Sequence, residues 1–162
     1  MRVPIASAII VGSLAVTGAA AQSGGKPPAA STANPACALL TREIVTKYSA
    51  TPNARLLDLI PPQGEPIGAK GSACEYGGIH LQIDPFANPD YYRKSPQKDW
   101  QVVSGVGDTA YFHNNRNNYA ELMVFAGSRH FTIQMSVPMG GNADSFKSNT
   151  IALANALLLK LR

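Results

Sequence analysis

Two short stretches of this 162-residue chain restrict its fold more than any other feature, because in each a two-residue turn separates runs that sort by polarity. With Gly77-Gly78 as the turn, Tyr76 faces Ile79 and Cys74 faces Leu81. Cys74, Tyr76, Ile79, Leu81 and Ile83 then share one face, and Glu75, His80, Gln82 and Asp84 share the other. Glycine supplies the positive φ that tight hairpin turns demand. The same test works at Gly127-Ser128, where Val124 opposes Phe131, Leu122 opposes Ile133 and Ala120 opposes Met135. A slip of one residue would mix apolar with polar side chains, so the clean sorting identifies the register. A third hairpin follows if Asn114 to Asn118 is its loop, pairing Phe112 with Ala120 and Ala110 with Leu122. The expected fold class is α+β: an antiparallel sheet meander with one apolar face, flanked by an N-terminal and a C-terminal helix.

These registers also define a second face. Phe125 opposes His130, Met123 opposes Thr132, Tyr111 opposes Glu121, and Tyr119 stands beside them. Aromatic and thioether side chains interleaved with hydrogen-bonding groups make a recognition surface, so Tyr111, Tyr119, Met123, Phe125 and His130 form a candidate binding face. The alternative is that a helix or the Pro-rich segment 50–71 covers it.

Around the hairpins the pattern turns helical. Asn34-Pro35 reads as an N-cap followed by a favoured first helical residue, and Cys37, Leu40, Ile44 and Tyr48 then fall on one face of a helix over 35–48. Thr41 could equally cap a second short helix, and the sequence leaves both open. Residues 50–71 hold Pro52, Pro61, Pro62 and Pro66 and read as a surface wrap with one short element at Leu56 to Ile60. A short helix is expected around Tyr91 within Asn88 to Lys98, a brief strand over Trp100 to Val103, and a tight turn at Gly105-Val106-Gly107-Asp108. The last element is a helix from Asp144 or Ser148 to Leu161. Its broad apolar stripe runs through Phe146, Ile151, Leu153, Ala154, Leu157, Leu158 and Leu161, which suits it to cover one face of the sheet.

The N-terminus concerns compartment rather than fold. Arg2, the apolar run Ile5 to Val16 and the small residues Ala19-Ala20-Ala21 form a signal-peptide pattern with cleavage expected after Ala21. The run is short of the roughly 20 residues needed to span a bilayer, no second such stretch follows, and no cysteine follows it to carry a lipid. The expected organisation is a signal peptide over 1–21, a flexible tether over 22–34 and one α+β domain over 35–162, placed in the periplasm or outside the cell. No membrane insertion is expected after cleavage. Cys37 and Cys74 are the two cysteines of the chain. In an oxidising compartment they are most simply a disulfide.

Several function classes find no support. A formal net charge of +4, with no basic run longer than Arg93-Lys94 and no aromatic–basic stripe, gives no case for nucleic acid. His80, His113 and His130 lack zinc-ligand spacing, so no metal and no cofactor is expected. His80 and His130 point away from the core in the hairpin registers and are expected to be solvated. Gly105 and Gly107 lack the third glycine and the strand–turn–helix context of a phosphate loop, and no serine sits in a nucleophile-elbow context. No catalytic residue is assigned.

The order Pro-x-Cys-x-Leu-Leu-Thr (Pro35 to Thr41), Cys-x-Tyr (Cys74 to Tyr76), Gly-Val-Gly-Asp-x-Ala (Gly105 to Ala110), then a strand pair and an Ala/Leu-rich helix, resembles small exported cell-envelope proteins of bacteria. Among these are actinobacterial lipoproteins and, more distantly, a mycobacterial kinase's sensor ectodomain. The similarity covers about Asn34 to Leu161. It implies an antiparallel sheet with flanking helices and a ligand- or partner-binding role. This chain departs from the pattern by lacking the lipid-attachment cysteine and by having one cysteine pair where the ectodomain carries more. Together these readings lead to an exported, non-catalytic binding module whose partner is an envelope protein or a small ligand. The alternatives are a small secreted hydrolase, or an inhibitor of a secreted enzyme that uses residues 50–71 as its inserted element.

Overall fold

A computed structural model of the chain describes residues 34–50, 52–94, 98–115 and 119–161. The expected signal peptide, and all of the expected tether except Asn34, lie outside these residues. Two short helices, α1 (Pro35–Leu39) and α2 (Arg42–Tyr48), open the described chain. Between the two arrangements that the sequence left open, the chain takes the broken one. Asn34 Oδ1 accepts from the amides of Ala36 and Cys37 at 2.9 and 3.1 Å, and Thr41 Oγ1 accepts from Ile44 N at 3.4 Å. Each side chain satisfies amides that a helix start leaves orphaned, so each starts its own helix.

Segment 50–71 is more ordered than a surface wrap. It holds α3 (Ala54–Leu59) and an edge strand, β1 (Gln63–Ile67). Then follow β2 (Gly71–Tyr76), β3 (Ile79–Ile83), α4 (Pro89–Lys94), β4 (Gln101–Val103), β5 (Thr109–Asn115), β6 (Tyr119–Ala126) and β7 (Arg129–Ser136). A 3-10 turn over Ala143–Phe146 leads into α5 (Lys147–Leu161). The seven strands form one sheet in the order β1-β2-β3-β7-β6-β5-β4, with every neighbour antiparallel. The α+β expectation therefore holds, as two meanders joined along β3 and β7.

Both glycine hairpins take the expected registers: Tyr76 pairs with Ile79 and Cys74 with Leu81, and Val124 pairs with Phe131, Leu122 with Ile133 and Ala120 with Met135. The third does not. Phe112 pairs with Leu122 and Ala110 with Val124, a slip of two residues from the expected pairing. The ladder runs on to Asn114–Ala120 and Asn115–Tyr119, so the loop is shorter than Asn114 to Asn118. A slip of two preserves which side chain faces which side, so the apolar face survives the error.

That face carries the main core. Cys37, Leu40 and Val45 from α1, α2 and the link between them, and Leu153, Ala154, Leu157 and Leu158 from α5, bury against Leu81, Phe112, Leu122, Phe131 and Ile133 of the sheet. Gly77 is required where the β2–β3 turn meets the helices. Its φ is +56°, and a Cβ there would lie 2.4 Å from Val45 Cγ1 and 2.6 Å from Leu57 Cδ2. Tyr76 Oη donates to Leu57 O at 3.0 Å from a buried position, which fixes α3 against this corner. Cys37 and Cys74 are joined by a disulfide. Among the described residues no helix is long and apolar enough to cross a membrane.

Candidate functional site

Strand alternation sends a second set of side chains to the opposite face of the sheet. Three rows cross it. Phe125 pairs with His130; Tyr111, Met123, Thr132 and Gln82 follow one another across four strands; and His113, Glu121, Gln134 and His80 form the next row. Tyr111 thus stands opposite Met123 rather than Glu121, because of the two-residue slip.

The first row and half of the second lie under a roof made by residues 85–94, including α4. Phe86 is its centre: its ring stacks at 4.3 Å on Tyr92 and at 5.3 Å on His130, and lies 6.4 Å from Phe125. Arg93 fastens the roof from above. Its guanidinium sits 5.4 Å from the centroid of Phe125, its Nη2 donates to Gly127 O at 2.7 Å, and its carbonyl accepts from Tyr111 Oη at 2.5 Å. Tyr111, Met123, Phe125 and His130 are consequently buried, while Tyr119 remains half open at 38% exposure. Of the five residues taken for a binding face, four are therefore sealed beneath a helix and its approach.

His130 was expected at the surface and is 5% exposed, because Phe86 stacks on it. Its Nε2 accepts from the Phe86 amide at 2.9 Å, so the ring's proton belongs on Nδ1, which faces Asp84 Oδ1 at 3.5 Å. Asp84 also accepts from His130 N at 3.1 Å and pairs with Arg129 at 3.2 Å. It does this from φ 49°, a left-handed conformation that aspartate tolerates better than most residues. A His–Asp pair of this kind invites comparison with a catalytic dyad, but a base needs a free nitrogen. Here the second nitrogen is taken by the backbone, so His130 is a strut that holds the roof.

Burial lowers the His130 pKa below the ordinary imidazole value, an effect that the nearby Asp84 carboxylate opposes. Above the unfolded value of about 6.5 both states are neutral and the strut is intact. As pH falls below it, the unfolded chain takes up a proton that the folded chain resists, and stability is lost until the folded pKa is passed. Urea midpoints are therefore expected to fall between pH 7.5 and 5.5, and less steeply in His130→Gln, whose amide oxygen can still accept from Phe86. Equal slopes would remove His130 from the account.

Beside the roof the third row stays partly exposed. Gln134 Nε2 donates to Glu121 Oε1 at 3.1 Å, and His113 Nδ1 lies 3.8 Å from Glu121 Oε2. Trp100 stacks on the His113 ring at 5.1 Å and 16°. His80 continues the strip on β3, and Tyr119 flanks it on β6. Four buried side-chain atoms among the described residues have no hydrogen-bond partner, namely Arg93 Nε, His113 Nδ1, His130 Nδ1 and Thr132 Oγ1. All four belong to this face or its roof. The candidate face drawn from the sequence leaves out His113, Gln134 and Trp100; the correct β5–β6 register is the signal that places His113 beside Glu121. Among the described residues no three His, Cys, Asp or Glu side chains gather as a metal site. Compared with family models, with curated proteins and with solved structures, the chain matches none of them.

Proposed function

We propose that this chain is an exported binding module that engages an envelope protein or a small ligand through the open strip of the second face. His80, Gln134, Glu121 and His113 supply the hydrogen-bonding groups, and Trp100 and Tyr119 the flanking rings. One observation carries the reading: His113, Glu121, Gln134 and His80 form one cross-strand row that stays partly exposed beside the roof, with the Trp100 ring stacked at its end. Buried polar groups are nearly always hydrogen-bonded, and on this strip His113 Nδ1 has no hydrogen-bond partner among the described residues. Glu121 is acceptor-only when ionised, Gln134 both donates and accepts, and His113 can do either, so the strip suits a ligand rich in hydrogen-bonding groups. The arrangement offers two histidine–carboxylate pairs, and among the described residues no hydroxyl or free thiol is bonded to either histidine ring, which favours binding over hydrolysis. Export rests on the N-terminal pattern through Ala21 and is supported by the disulfide, which persists in oxidising compartments.

A photo-crosslinking benzophenone placed at position 80 or 134 tests the strip, with position 152 on the exposed side of α5 as the control. Protein recovered from the envelope fraction should begin at Gln22 and should crosslink to the same species from 80 and 134 but not from 152. Crosslinking from all three positions, or none from the strip, would reject the binding surface. An uncleaved N-terminus would reject export.

A further inference from the structure

A cleft of about 640 Å³ opens at the end of the sheet where β6 turns into β7, away from the strip. Its size is ordinary for a small-molecule site. One wall is the last turn of α5, which contributes Leu158, Leu159 and Leu161. Leu159 is 72% exposed, so a large apolar side chain faces water beside a concavity.

The facing wall is polar and rigidly built. Asp108 Oδ2 accepts from the Gly127 amide at 2.7 Å, and the Gly127 carbonyl is held by Arg93 at 2.7 Å. The Asp108 amide donates to Phe125 O at 2.8 Å. This closure needs glycine at 107, where φ is +57° and a Cβ would lie 2.5 Å from Phe125 O. Gly127 is thereby held through both its amide and its carbonyl, and the Asp108 carboxylate is held with it.

Among the described residues the cleft is lined by one carboxylate and one guanidinium, Asp108 and Arg129. The Arg129 guanidinium is paired with Asp84 at 3.2 Å. Among the described residues Asp108 has no cationic partner, and its carboxylate is held through Oδ2 by the Gly127 amide. We propose that the cleft binds a small organic cation, an alkylammonium in chemical class, with its apolar body on Leu158, Leu159 and Leu161 and its ammonium on Asp108. A preorganised carboxylate beside an apolar wall selects for a molecule with both features, because no reordering of the protein is needed on binding. The site does not depend on the strip of the second face, and either can stand without the other.

Titration of the mature protein with n-hexylammonium, hexanoate and hexanol, followed by amide chemical shifts, tests this. Hexylammonium should perturb Gly107, Asp108 and Gly127 saturably and bind about tenfold more tightly than the other two, as expected when one charge-assisted hydrogen bond is added. Asp108→Asn keeps an oxygen for the Gly127 amide, so the turn should stay folded while affinity falls about tenfold. Leu159→Ser should weaken binding about threefold. Leu59→Ser, at an equally open position on α3 (75% exposed), should leave it unchanged. Hexanoate binding as tightly as hexylammonium, an unchanged affinity in Asp108→Asn, or no saturable binding of hexylammonium would each overturn the proposal.

Discussion

Replacing Phe125 with serine is expected to cost about 3–5 kcal/mol of unfolding free energy, the range for removing a buried phenylalanine side chain. Phe125 has no exposed surface. It meets Tyr111 edge-on at 6.4 Å, Phe86 and His130 in stacked geometry at 6.4 and 6.2 Å, and the Arg93 guanidinium at 5.4 Å. Truncation leaves a cavity in contact with all of them and loosens the roof as well as the sheet. Met123, 8% exposed, is expected to cost about 2–5 kcal/mol on the same substitution. Val102 pairs with Tyr111 on the neighbouring strand but is 72% exposed, so Val102→Ser serves as a control with little change expected. Urea unfolding of the three variants decides the matter. A loss under about 1 kcal/mol for Phe125→Ser would mean that the roof stands open in solution, since surface substitutions fall in that range. The buried polar face would then be a binding surface in its own right.

What could be read from the chain was set by local constraints. The Gly77-Gly78 and Gly127-Ser128 turns specify both register and face, since a two-residue turn leaves one pairing and alternation does the rest. The Asn114–Asn118 segment carries no such restriction. Asn and Arg suit a loop of several lengths, and apolar residues at 110, 112, 120, 122 and 124 sort equally well in registers two residues apart. The face was legible there and the partner was not. Strand β1 escaped for a different reason. Gln63, Gly64, Glu65 and Pro66 are all exposed, so an edge strand with both sides open shows no alternation, and a proline is tolerated at such an edge.

The roof was the harder case. Residues 85–100 contain Phe86, Tyr91, Tyr92 and Trp100 among Pro85, Pro89 and Pro96, with no period of 2 or 3.6 to assign a face. Their aromatic content says that they bury against something, but what they cover is settled by the path from β3 to β4 across the sheet. Sequence parity correctly put Phe125, Met123 and His130 on the second face. It could not say that Phe86 would stack there, nor that the row containing Glu121 and Gln134 would be left outside.

Breaking the Cys37–Cys74 bridge is the second large perturbation. The two residues are 37 apart in sequence, and freeing a loop of that length costs about 4 kcal/mol in the chain-entropy account. For a chain of this size that is a fall of roughly 10–20 °C in melting temperature. Alanine is the better substitution, because Cys37 and Cys74 are 5% and 0% exposed and serine would bury hydroxyls in an apolar core. The loss should also be local. Helix α1 has five residues, far fewer than the roughly 12–15 at which an isolated helix becomes even marginal. What holds it in place is the bridge to β2, the Asn34 cap, and the bond from Asn34 Nδ2 to Glu65 O at 3.1 Å. The last of these also fastens the edge strand β1. Without the bridge, α1 and β1 should open together, and their amides should exchange faster than those at the centre of β6 and β7, which keep a strand on each side and α5 above them. Hydrogen exchange of Cys37→Ala/Cys74→Ala against the parent, read residue by residue, separates this from uniform weakening. If α1 and β1 keep their protection relative to β6 and β7, the bridge acts only on the unfolded chain, and the account of it as the anchor of the N-terminal helix fails.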